Sequence, residues 1–282
     1  MPRFDTPEPI SVTIELSVGA VTINASDRSD TVVDVRPTDE TDESDVKAAD
    51  QTRVEYAGGT LLVKSPKARA LDFSRKSRSV DVTIEVPTGS HVHGEAAMAD
   101  FLSTGRLGQC KVKTAAGHIQ LDRTGALQLS TGAGNVSVDH TVGQAEITTG
   151  TGKLHVGVLD GGGAIKNSNG ASEIGTVTGQ LRIRAANGDI SIAHSAAGVD
   201  AKTANGSIRV DEAAGGSLVL ETAMGNLEVA VRQGTAAWLD VKTGFGRVQQ
   251  HLNDVEHSPT PTGEALEVRA RTSFGDITIR PA

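Results

Sequence analysis

The side chains best suited to chemistry stand in one periodic column. Gln120, Ser137, His155, Glu173, Ser191, Arg209 and Glu228 recur at a nearly constant interval, each between two apolar neighbours or nearly so. A polysaccharide-cleaving site needs two carboxylates a few ångströms apart, with a base and a cationic partner near them. Glu173 and Arg209 are two repeats apart, roughly 10 Å if repeats stack at strand spacing, and Glu173 and Glu228 are three apart, too far for a glycosidase pair. His91 and His93 alternate on one strand face and could begin a metal site, but no third ligand follows at metal-site spacing. Asp189 and Asp276 each follow a glycine and read as turn residues that hydrogen-bond the backbone. Gly132-Ala133-Gly134 lies within a β-repeat and lacks the strand-to-helix setting of a nucleotide loop. The single cysteine, Cys110, stands in an alternating apolar run and reads as a small buried hydrophobe. The sequence therefore assigns no catalytic residue, metal ligand or cofactor.

What the sequence does specify is the frame that carries this column. A glycine recurs as Gly117, Gly134, Gly152, Gly170, Gly188, Gly206, Gly225, Gly246 and Gly275, evenly at first and more widely over the last two intervals. A period of about 18 residues marks a repeat architecture. Two and four residues after the glycine stand apolar residues, as in Ile190 and Ile192 or Ile208 and Val210. The exceptions are Ser172 and Gln250. A second, weaker apolar alternation precedes each glycine, as in Leu181 and Ile183. Apolar–polar–apolar alternation is strand periodicity, with one face buried and one wet. Each unit is thus strand, turn, strand, turn.

Two arrangements satisfy this pattern. An antiparallel meander would use Asn187-Gly188 and Asn205-Gly206 as hairpin turns and set Ile183 opposite Ile192. A parallel solenoid would stack each unit in register on the last. The residue before the glycine decides for the solenoid, because it repeats in kind: Asn169, Asn187, Asn205, then Met224, Phe245, Phe274. In-register stacking lets Asn bond to Asn and Phe stack on Phe, which is this chain's expected structural ladder. A threonine column three residues before the glycine (Thr114, Thr131, Thr149, Thr203, Thr222, Thr243, Thr272) agrees. Few aromatic residues (2%) also argue against a two-sheet sandwich. The expected fold is an all-β, parallel β-solenoid, a right-handed β-helix with one repeat per coil. One coil alone buries too little apolar surface to fold, so neighbouring coils must stabilise each other.

Residues 1–89 read as a β-rich N-terminal cap continuous with the solenoid, and residues 90–282 as the coils. Within the cap, Val12–Leu16, Val21–Ile23 and Val33–Val35 alternate as strands, and Val46–Gln51 can make a helical turn or two. The segment 65–78, with Lys67, Arg69, Arg75, Lys76 and Arg78, reads as a mobile basic loop. Phe101 precedes Ile119 by one repeat, which puts Ala99 in the glycine position of the first coil. A loop at about 251–264, with Pro259 and Pro261, is inserted into the last coils.

The net charge of −8 and a pI near 5.5 argue against a nucleic-acid or anionic-membrane binder. No apolar stretch approaches the length of a membrane span, and the opening Met1–Pro7 lacks a signal-peptide core, so the expected compartment is the cytoplasm.

Lys202–Ile208 (KTANGSI) and Arg271–Ile277 (RTSFGDI), with the opening Phe4-Asp5-Thr6-Pro7, resemble the bacterial putative-adhesin family, a β-strand-repeat domain of unknown function. The resemblance spans nearly the whole chain. It implies a β-helix-like solenoid and surface display, and it supplies no catalytic residues. The functional expectation is a non-catalytic interaction or scaffold protein whose partner is another protein. The alternatives are a structural protein that self-associates end to end through its solenoid ends, and a carbohydrate-binding or carbohydrate-cleaving solenoid.

Overall fold

A computed structural model describes residues 1–66, 78–252 and 265–282. It contains two compact units, Met1–Asp139 and His140–Ala282. Both are built chiefly from parallel strands in register. The basic residues Lys67, Arg69, Arg75 and Lys76, and the insert from Asn253 to Glu264, lie outside the described residues.

In the second unit one coil consists of Leu181–Asn187 and Ile190–Ser195, with Gly188 between them. Leu181 pairs with Gly163 on one side and Val199 on the other, and Ile190 pairs with Ser172 and Ile208. Ile183 therefore neighbours Ile165 and Ala201, and the meander pairing with Ile192 does not occur. The inward residues Ile183, Ile192, Val210, Leu220 and Val229 are fully buried. Glycine at the corner has two causes, both visible at Gly206. Its φ is +147°, and a Cβ there would sit 2.2 Å from the carbonyl oxygen of Gly188 in the next coil. Only a residue without a side chain meets both conditions.

The last coils do not stack in chain order. Leu266–Phe274 pairs with Ser217–Met224 on one edge and with Ala237–Phe245 on the other. Ile277–Pro281 likewise pairs with both Leu227–Val231 and Val248–Gln250. The final coil has slipped between its two predecessors. Composition supplies the reason: Leu266, Val268, Ala270, Ile277 and Ile279 are completely buried there, whereas the displaced coil brings Gln250 to the inward column. Burying that amide without a partner would cost about 1–3 kcal/mol. As the outermost position it is exposed.

In the first unit, Ser11–Ser26 is one continuous strand that makes both halves of a coil. It runs parallel to His91–Arg106 on one side, pairing Val12 with Val92 and Val21 with Phe101. On the other side it pairs in parallel with Thr60–Lys64 and Ser79–Pro87. Gly19 is a further member of the glycine series: it has a φ of +145° and packs on Val80, where a Cβ would meet the carbonyl oxygen. Ala99 occupies the same position, paired with Gly19 and packed beneath Gly117. Antiparallel strands cover the outer edge of this stack. Arg53–Ala57 lies on Thr60–Lys64, and Asp30–Pro37 lies on Ser79–Pro87 and carries Arg3–Asp5 in turn. The helix Glu43–Asp50 begins at Asp42, whose carboxylate accepts from the Ser44 amide at 2.7 Å. This satisfies one of the amides that a helix start leaves without a partner. The buried Asp45 accepts from the Ser79 amide at 2.8 Å, which ties the helix to the covered edge.

Candidate interaction surface

The two sides of each coil do different work. On the inner side, a threonine three residues before the glycine, buried in all but the outermost coil, reaches the carbonyl of the adjoining coil's glycine. Thr222 Oγ1 donates to Gly206 at 2.8 Å, Thr272 to Gly225 at 3.0 Å and Thr243 to Gly275 at 2.8 Å. A corner carbonyl without that donor would be an unsatisfied buried acceptor. Asn167 takes the threonine's place in its own coil: Nδ2 reaches Gly152 at 3.2 Å and the hydroxyl of Ser172 at 3.2 Å. The larger amide requires a smaller, polar residue opposite, which accounts for Ser172 in a column otherwise filled by Ile, Leu and Val. The signal was Asn167 standing in the threonine column.

A further column lies one residue after the glycine. Ser207 N donates to Asp189 Oδ1 at 2.8 Å, Arg247 N to Asp276 Oδ1 at 2.8 Å, and Asn135 N to His118 Nδ1 at 3.0 Å. Asp189 and Asp276 thus bind backbone of the adjoining coil, a longer reach than a local turn.

From His155 to Glu228 the ionisable side chains of the outward column each lie beside a polar partner. Glu173, Ser191 and Arg209 lie in register on successive strands, and Arg209 pairs with Glu228 in the next. Glu173 lies 3.8 Å from His155, Arg209 binds Asp211, and Glu228 accepts from Arg280 at 2.9 Å. His91 Nδ1 accepts from the Gln109 amide at 2.9 Å, while His93 is 3.5 Å from Glu95. Among the described residues no cluster of three or more His, Cys, Asp or Glu is placed to hold a metal. Cys110 sits in the core between Val92 and Leu127, and burial pushes its thiol pKa up to about 12. It therefore stays protonated and inert.

The residues before the glycine form one exposed ladder. Asn169, Asn187 and Asn205 are in register, with Asn187 Nδ2 donating to Asn169 Oδ1 and Asn205 Nδ2 to Asn187 Oδ1, each at 2.8 Å. Asn205 pairs with Met224, Met224 with Phe274, and Phe274 with Phe245. The two rings stack face to face with centroids 5.0 Å apart and planes 6° from parallel. Met224 and Phe274 are each 55% exposed and Phe245 is 71% exposed. Three large apolar side chains therefore form a continuous ridge in water, beside a polar amide spine.

Three solved structures resemble the chain at low identity. They are a putative cell adhesion protein from Clostridium sporogenes (10% identity, 100% of this chain and 98% of that one, TM-score 0.28), a putative adhesin from Bacteroides fragilis (14%, 99% and 95%, 0.36) and a putative adhesin from Parabacteroides distasonis (14%, 98% and 95%, 0.29). No curated protein matches. Among the described residues no helix is long and apolar enough to cross a membrane. The sequence profile of the Toastrack DUF4097 family matches residues 11–280, through both units and every coil described above, and the chain belongs to that family.

Proposed function

We propose that this protein is a non-catalytic solenoid scaffold that holds a partner protein against the ridge Met224–Phe274–Phe245. The observation that carries this reading is the change within a single ladder. The same outward position is filled by mutually satisfied asparagines in three coils and by apolar side chains in the next three. Those apolar side chains are exposed at a cost that burial against a partner would recover. Aromatic side chains on a rigid frame suit binding, because they offer large contact area and lose little conformational freedom.

The test is affinity capture from the native host with identification by mass spectrometry. Wild type is compared with a Met224→Ser/Phe274→Ser/Phe245→Ser variant of matched thermal stability. The expected result is a protein retained by wild type and lost from the variant. Identical captured sets would overturn the assignment.

A further inference from the structure

The coil Ala237–Phe245 with Val248–Gln250 has, among the described residues, a neighbour on one edge only. Its inward side chains show the consequence. Leu239 and Val241 are part-exposed and Val248 is 44% exposed, whereas Val268, Ala270 and Ile277, one coil further in, are completely buried. Among the described residues the core ends there as an open section. The backbone is open as well. Leu266 N donates to Ala236 O at 2.8 Å. The alternation of a ladder then turns the N–H and C=O groups of Leu239, Val241 and Thr243 away from their single neighbour.

We infer that this edge is a homodimer interface, in which strand 237–245 pairs antiparallel with the same strand of a second copy about a two-fold axis at Val241. The sequence of the strand is self-complementary in that register. Asp240 falls opposite Lys242 of the other copy and Lys242 opposite Asp240, giving two opposed ion pairs for one operator. On the same outer face Trp238 falls opposite Gly244, where an aromatic ring covers a position without a side chain. On the inner face Val241 meets Val241 and Leu239 meets Thr243, so the two cores join. The three residues whose backbone faces outward are the ones this register makes into hydrogen-bonded pairs. Asp240 also binds Arg271 of its own chain at 3.2 Å. That contact orients the carboxylate without exhausting its acceptor sites.

The association is a closed dimer. The corresponding edge in the first unit is covered by Asp30–Pro37 and by the short strand Arg53–Ala57, whose Arg53 and Glu55 blunt further pairing. An open edge therefore meets its own kind, an isologous contact that does not propagate.

Sedimentation equilibrium over a roughly hundredfold concentration range tests this. Wild type should fit a monomer–dimer equilibrium with no larger species. Asp240→Lys and Lys242→Asp, taken singly, set like charges opposite each other twice per dimer and should each raise the dimer Kd about tenfold. The double exchange restores both pairs and should return Kd to within about threefold of wild type. A strictly monomeric wild type, open-ended growth, or single exchanges that leave Kd unchanged would each overturn the inference. Melting curves of the four proteins identify any variant that fails to fold, and in that case the remaining single exchange, compared with wild type, decides: a raised dimer Kd supports the interface and an unchanged one overturns it.

Discussion

Asp200 shows how a single side chain on the outer face contributes to the stack. Arg184, one strand away, hydrogen-bonds its carboxylate, and that contact with the nearby Lys202 and Arg182 holds the carboxyl below its ordinary value of 3.8. Cations and donors beside a carboxylate favour its charged form. A depressed carboxyl stabilises the fold above its unfolded-chain pKa. That contribution is lost as pH falls through the folded value. The pair is about one-third exposed and still screened by water, so its worth is about 0.5–1 kcal/mol. Urea midpoints of wild type and Asp200→Asn should therefore differ at neutral pH and converge as pH is lowered from about 5 to about 2. A gap that stays constant over that range would show that the pair does not act through its charge. The residue scale is also where the sequence was least legible. Asn167 and Ser172 make sense only as a pair across a coil, and neither follows the strand pattern alone. The reach of Asp189 to Ser207 needs the neighbouring coil in place before it can be seen.

At the scale of the strand, inside and outside are assigned by alternation alone, and here the sequence was most legible. Ile208 lies between Ile190 and Leu227 with no exposed surface, while Arg209 lies beside it with its guanidinium in water. Ile208→Asp places an unpaired charge between coils and should cost about 3–5 kcal/mol. Arg209→Gln should melt close to wild type. Thermal denaturation of the two variants decides the matter, since equal shifts would contradict the face assignment. The Asn169–Asn187–Asn205 spine was readable for a related reason, because like residues at a fixed interval are what parallel register requires. The order of the last coils was not readable. A constant interval names a partner only when coils stack in chain order, and the exchange of the final two breaks that equivalence. Gln250, polar in an apolar column, was its one trace. At the other end of the sequence Gly19-Ala20-Val21-Thr22-Ile23 carries the full repeat motif. Its coil partner His91–Arg106 lies several repeat lengths further along the chain, so no period connects them.

At the scale of the whole molecule, both units apply one rule, a chain laid on itself in parallel register, and use it for different ends. The first unit covers its outermost coil with antiparallel strands and a capped helix. Among the described residues, the second leaves an apolar ridge and a strand edge with a neighbour on one side only. Under the proposed function, an acidic chain of net charge −8 presents these features to a protein partner. All of this rests on Asn187 and Asn205 being Cα partners on adjacent parallel strands. The most direct test is a Cys110→Ala chain carrying Asn187→Cys and Asn205→Cys, oxidised at low concentration and run without reductant. Strands about 4.8 Å apart bring the two thiols within disulfide range, so an intramolecular bond should form in most folded molecules. An antiparallel meander would hold them two strands, about 10 Å, apart, and a folded chain that keeps both thiols free would contradict the stacked register.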